Sequence, residues 1–158
     1  MGRSGVKRGI GMVLASGLAV GLWASGEPHG CRGCSAGKLM LRCDYYVAKL
    51  GDLSQRDSCA DYARVVDIDG ASAKAAWYWL LAGEPQKALD AARRAVEQGQ
   101  TFAAGYAAQA LTILGRDQEA SAYLGRFRAA VASRDYFSRE LRTLARLYPD
   151  IDFRKLER

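Results

Sequence analysis

One glycine recurs at a fixed interval, and this regularity limits the fold more than any other feature of the sequence. Gly51, Gly83 and Gly115 are separated by 32 residues in both intervals. Their surroundings are related and read KLGDLSQ, LAGEPQK and ILGRDQE. A fixed period of about 20 to 50 residues is typical of stacked supersecondary units. The sequence therefore predicts a repeat protein.

Each of these glycines separates two apolar stretches with helical periodicity. The stretches before the glycines cover residues 39–50, 72–82 and 102–114, and those after them cover 54–66, 86–98 and 118–132. A glycine after a periodic apolar run supplies a helix stop, and a short turn between two helices produces an antiparallel hairpin. The spacing predicts three helical hairpins in an all-α fold.

Alanines lie where the two helices of a hairpin should approach each other. Close helix packing, at an axial separation of about 8 to 10 Å, requires small side chains at the contact. The second hairpin has Ala75 and Ala76 opposite Ala88, Ala92 and Ala95, and the third has Ala107 and Ala108 opposite Ala120. The pattern indicates tight pairing within each hairpin.

These residues resemble the tetratricopeptide repeat (TPR), a helix-turn-helix unit with small residues on both helices and a glycine at the turn. The resemblance is carried by WYWLLAGEPQKALDAARRAVEQG and YAAQALTILGRDQEASAYLGRFRAAV and covers residues 37–132. The period is 32 rather than the 34 residues usual for the family, and no proline ends a repeat. The resemblance implies a right-handed superhelix of about three repeats. The amphipathic segment SRDYFSRELRTLARLYPD would follow as a capping helix that covers the last repeat.

A TPR-like superhelix would bind a partner in the concave groove formed by the first helix of each repeat. The resemblance places these residues in the groove: Leu41, Tyr45, Ala73, Trp77, Leu80, Phe102, Gly105 and Gln109. Tyr45, Trp77 and Phe102 would form an aromatic track suited to an extended or helical peptide. Trp79 is expected in the core and Tyr78 at the solvent edge, whereas both groove and packing positions are open for Trp77.

Four cysteines, Cys31, Cys34, Cys43 and Cys59, precede residue 60. In an exported chain, which the N-terminal sequence described below predicts, an even count first suggests disulfides. Three pairings exist in principle. Aligning the first repeat with the others, with three extra residues in its turn, matches Cys43 with Ala75 and Cys59 with Ala88. The resemblance therefore implies a Cys43–Cys59 bridge, which leaves Cys31 with Cys34. Redox activity of the Cys31/Cys34 pair and a zinc site are the alternatives.

The N-terminus has the order of an export signal. Arg3, Lys7 and Arg8 precede a stretch without charged residues at positions 9–26, which has small residues at its end. This predicts a signal peptide or a signal anchor at residues 1–26, a Gly/Cys-rich linker at 27–37 and a TPR-like helical domain at 38–158. Everything after residue 27 should cross the membrane, which places the domain in the bacterial periplasm or cell envelope, either free or anchored in the inner membrane through residues 9–26.

The remaining composition excludes several functional classes. Three of the 23 basic residues belong to the export signal, so the rest of the chain has 20 basic against 17 acidic residues. This small excess is not typical of a nucleic-acid-binding protein. A single histidine, His29, lies in the linker, and the sequence contains neither a nucleophile elbow nor a phosphate-binding loop. We therefore expect no enzyme activity, no cofactor and no metal.

The sequence thus predicts an exported or membrane-tethered scaffold that binds a protein partner, such as a peptide or a subunit of an envelope complex, in its groove. The alternative is an envelope protein that exchanges disulfides or handles a metal through Cys31 and Cys34. Self-association through the repeats is a third option.

Overall fold

The computed structural model describes residues 31, 33–133 and 135–158, and this part of the chain is all-helical. The all-α class predicted from the sequence is confirmed. The α-helices are α1 (Ala36–Arg42), α2 (Arg56–Ile68), α3 (Ser72–Ala82), α4 (Pro85–Glu97), α5 (Ala104–Ile113), α6 (Asp117–Ala130) and α7 (Asp135–Leu147). A π-helix, Cys43–Lys49, continues α1, and short 3-10 helices cover Leu53–Gln55, Thr101–Ala103 and Phe153–Leu156.

Helices that follow each other along the chain pack together from α1 to α6. Gly51, Gly83 and Gly115 end the first helix of each pair with φ of +75°, +83° and +72°, in the left-handed region that favours glycine. After α3, the amide of Gly83 donates to the Leu80 carbonyl, and the following amide donates to the carbonyl of Trp79. The 32-residue spacing therefore corresponds to three helix ends at which a glycine adopts a positive φ.

Small residues form the contacts within the hairpins. The alanines predicted at these contacts are buried, and all but Ala120 have no exposed surface. Trp79 is buried as expected, but the prediction that Tyr78 lies at the solvent edge is wrong. The Tyr78 side chain is buried, and its hydroxyl donates to the side chain of Asp44 on the preceding hairpin.

The first hairpin differs from the other two at its turn. The 3-10 helix Leu53–Gln55 adds three residues between Gly51 and α2, in agreement with the insertion inferred from the alignment. Cys43 and Cys59 then lie opposite each other, fully buried, with their Cα atoms 4.9 Å apart and their side chains joined as a disulfide.

Helix α7 returns from the third hairpin to the first. At its start, the rings of Phe137 and Phe127 lie 4.5 Å apart, and at its end the Arg146 guanidinium donates to the carbonyls of Ala48 and Lys49. The helix therefore crosses the molecule, whereas the sequence predicted a cap on the last repeat alone. The C-terminal tail docks through Phe153 and Leu156, which are both buried.

The predicted signal at residues 1–26 lies outside the described residues, as do residues 27–30 and 32 of the predicted linker. In the part of the chain that the structure describes, no helix combines the length and apolar character needed to cross a membrane.

Candidate functional site

Helix α7 lies across the first helices of the three hairpins, on the face where the sequence placed the binding groove. Its apolar stripe of Phe137, Leu141 and Leu144 is buried. Directly after the helix, the Tyr148 hydroxyl donates to the Leu80 carbonyl of α3 at 2.6 Å. Together with the hydrogen bonds of Arg146 to the first hairpin, these contacts place α7 over much of the face where the sequence predicted a groove.

Of the residues predicted in the groove, Leu80, Gly105 and Gln109 are covered. Leu80 and Gln109 have no exposed surface, and a Cβ atom added at Gly105 would lie 3.2 Å from the ring of Phe137. The surface open to a partner is therefore smaller than the sequence predicted. The apolar face of α7 packs on α3 and α5 and covers part of it.

The other predicted residues divide into two groups. Ala73, Trp77 and Phe102 line one open cleft together. Leu41 and Tyr45, on α1 and its π-helical continuation, are 65% and 49% exposed but do not line that cleft. The aromatic track predicted from the sequence is therefore interrupted between Tyr45 and Trp77.

The cleft, called the aromatic cleft below, has a volume of ≈ 360 Å³. It is lined by Asp44, Ala73, Lys74, Trp77, Tyr78, Phe102, Tyr106 and Tyr136. The ring of Tyr106 forms its floor, because this residue is buried while Phe102 and Tyr136 are exposed. The Tyr106 centroid lies 6.2 Å from that of Trp77 and 6.4 Å from that of Phe102. Five aromatic side chains and one carboxylate therefore line a space that α7 leaves open.

A buried carboxyl group, Glu140, lies between α7 and α5 behind this cleft. Glu140 is 5% exposed, and it accepts hydrogen bonds from the Tyr106 hydroxyl at 3.0 Å and from the Gln109 amide at 3.4 Å. Burial raises the pKa of Glu140 to about 7, since hydrogen bonds from Tyr136, Tyr106 and Gln109 only partly offset the loss of hydration. The docking of α7 therefore involves a group that titrates near neutral pH.

A second carboxyl group, Asp44, lines the cleft itself. The Tyr78 hydroxyl lies 3.0 and 3.2 Å from its two oxygens. Partial burial raises the pKa of Asp44, although the Tyr78 hydrogen bond and the charge of Lys74 act in the opposite direction. Burial, and then the nearby charge of Asp44, raise the pKa of Tyr78, so its hydroxyl remains a hydrogen-bond donor.

The two cysteine pairs differ in their burial. Cys43 and Cys59 are fully buried, whereas Cys31 and Cys34 are only partly buried, next to the start of α1, with their Cα atoms 5.4 Å apart in a second disulfide. Among the described residues, no three histidine, cysteine or acidic side chains are grouped so as to hold a metal ion.

Comparison with protein-family profiles, with curated proteins and with solved structures finds no match to this chain. The candidate site is therefore defined by its own geometry.

Besides Tyr78, five residues of the site were not predicted as site residues from the sequence: Asp44, Lys74, Tyr106, Tyr136 and Glu140. One signal was present for Glu140. It lies three residues after Phe137 and four before Leu144, within the apolar stripe of α7, where an acidic residue is unusual unless it has buried partners. Asp44 and Tyr136 carry no comparable signal, because their roles depend on contacts with residues distant in sequence.

Proposed function

We propose that this protein is an exported, TPR-like scaffold that binds a protein partner in the cell envelope through the aromatic cleft. Three hairpins, each with a positive-φ glycine at the end of its first helix and each packed on the next, support a superhelix of TPR-like repeats. In such an architecture the first helices of the hairpins form the concave binding face.

Two buried or partly buried disulfides support export. Disulfides persist in oxidising compartments and are rare in the reducing cytosol. The Cys43–Cys59 and Cys31–Cys34 pairs agree with the signal or anchor predicted at residues 1–26, and together they favour the periplasm of a bacterium.

The single observation that carries the binding proposal is the exposure of aromatic side chains around the aromatic cleft. Phe102 is 47% exposed and Tyr136 56% exposed, next to the partly buried Trp77, although α7 covers the adjoining part of the same face. Clustered aromatic side chains at a concave position are typical of the central residues of protein interfaces. A side chain or a short extended segment fits here, because α7 already occupies the space that a whole helix would require.

Site-specific photocrosslinking in cells tests this proposal. A photoreactive phenylalanine analogue at position 102 should give a defined adduct with one envelope protein. The matched control places the same analogue at Ile68, which is 86% exposed at the end of α2 and does not line the cleft. Adducts from Ile68 alone, or equal adducts from both positions, would exclude the cleft as the binding site.

A second candidate function is thiol-disulfide exchange or metal handling by Cys31 and Cys34. It is favoured by one observation, the partial exposure of this pair in contrast to the complete burial of Cys43 and Cys59. Titration with glutathione redox buffers, followed by mass spectrometry of alkylated thiols, tests it. An exchange function requires that the Cys31–Cys34 bridge opens at a potential near that of the compartment, whereas a structural bridge resists reduction.

A further inference from the structure

Asp44 has acceptor capacity that the described part of the chain does not use. A carboxylate has about four acceptor positions. The Tyr78 hydroxyl supplies one proton to the two oxygens, and no Lys or Arg nitrogen of the described residues lies within ion-pair distance. The side chain is only partly buried and lines the aromatic cleft, so a ligand in the cleft can reach it.

The walls of the cleft favour a cation. The faces of aromatic rings carry partial negative charge and attract ammonium and guanidinium groups at separations of about 6 Å or less. Trp77, Phe102, Tyr106 and Tyr136 present such rings around the cleft. The chain uses the same interaction elsewhere, since Lys87 lies 5.0 Å from the centre of the Trp79 ring.

The one basic residue at the cleft, Lys74, is engaged with another ring. Its ammonium group lies 5.0 Å from the centre of the Tyr62 ring, and Tyr62 does not line the cleft. Burial still raises the pKa of Asp44, and the charge of Lys74 only partly offsets this rise, without an ion pair between the two side chains. Glu140, behind Tyr106, adds negative charge whenever it is ionised.

We propose that the aromatic cleft binds a basic side chain, arginine or lysine, of the partner protein, with its cationic group at Asp44 and its methylene stem against Trp77 and Phe102. This inference rests on the proposed scaffold function and specifies the chemistry that the cleft recognises. The volume of ≈ 360 Å³ suits a single long side chain. A whole helix, with a diameter of about 10 to 12 Å, does not fit beside α7.

Nuclear magnetic resonance of the Trp77 indole N–H in the full chain tests the proposal. The probes are N-acetyl-arginine amide, its neutral isostere N-acetyl-citrulline amide, and N-acetyl-glutamate amide. We expect the arginine probe to shift the Trp77 signal in a saturable manner and the other two to bind at least about tenfold more weakly. Equal or tighter binding of the glutamate or citrulline probe would overturn the proposal.

Asp44→Asn provides the matched variant, because an asparagine oxygen still accepts the Tyr78 hydrogen bond while the charge is lost. We expect it to weaken arginine binding at least about tenfold, whereas Asp69→Asn, at an exposed residue directly after α2, should leave binding unchanged. Unchanged arginine binding in Asp44→Asn would contradict the proposed role of the carboxylate.

The two proposals fail in distinguishable ways. If position 102 crosslinks to a partner but the arginine probe does not bind, the scaffold function stands and the inference is wrong. If the arginine probe binds through Asp44 but position 102 gives no protein adduct, the cationic site stands and its use by a protein partner is wrong.

Discussion

Replacement of Glu140 by glutamine should change how the stability of the protein depends on pH. In the folded chain burial raises the pKa of Glu140 to about 7 from an ordinary value of 4.5. Below the lower value the side chain is protonated in both the folded and the unfolded state. Between the two values the unfolded chain releases this proton and the folded chain retains it, so the folded state loses relative stability as pH rises.

The magnitude follows from the difference between the two pKa values. Each pKa unit corresponds to about 1.36 kcal/mol, so the contribution of Glu140 falls by about 3 kcal/mol as pH rises from about 4.5 to about 7. The side chain is almost fully buried, so solvent screening reduces this value little. Glutamine is neutral and still accepts the hydrogen bond from Tyr106. Glu140→Gln should therefore lack this pH dependence and should be more stable than the wild type above pH 7.

Urea denaturation followed by circular dichroism at a series of pH values measures this difference. The quantity of interest is the free energy of unfolding of the wild type minus that of Glu140→Gln, because other carboxyl groups contribute equally to both. Glu157→Gln, in the exposed C-terminal tail, serves as the control for loss of a surface carboxylate. Parallel pH profiles for the wild type and Glu140→Gln would refute the reasoning.

Two further comparisons test the fold. Cys43→Ser should lower the free energy of unfolding by about 3 kcal/mol, since it opens a loop between two packed helices. Cys34→Ser should lower it much less, because the Cys31–Cys34 bridge spans three residues. Equal changes in melting temperature for the two variants would argue against this pairing. Gly115→Ala should destabilise the protein by about 1 kcal/mol, because alanine rarely adopts a φ of +72°. Gly125 lies within α6, and no atoms lie near a methyl group added there, so Gly125→Ala should stabilise the protein by about 0.5 to 1 kcal/mol. Urea denaturation of the two glycine variants measures both changes. A change of stability in the same direction for both variants would contradict this explanation.

The helices and their turns were predictable because they depend on local signals. The glycine spacing, the apolar periodicity and Pro85 at the start of α4 place each hairpin within a few residues of its observed bounds. The three-residue insertion in the first turn could also be predicted, because it brings Cys43 and Cys59 into register with alanines of the other two hairpins.

The position of α7 was not predictable from these signals. An amphipathic stripe shows that a helix needs an apolar partner, but it does not specify which apolar face it covers. The choice between the end of the last hairpin and the groove depends on long-range contacts, such as those of Arg146 with the carbonyl of Ala48 and of Tyr106 with Glu140. Dependence on long-range contacts also explains why the prediction for Tyr78 was wrong, since its burial depends on a hydrogen bond to Asp44 of the preceding hairpin.

The most direct test of the account is the affinity of the crosslinked partner for the full chain and its variants. We expect Trp77→Ala to bind about tenfold or more weakly with its helical content retained, because Trp77 lines the aromatic cleft. Tyr123→Ala, which removes an aromatic side chain on α6 outside the cleft, should bind like the wild type. Equal affinity of the wild type and Trp77→Ala would contradict the claim that the cleft left open by α7 is the binding surface.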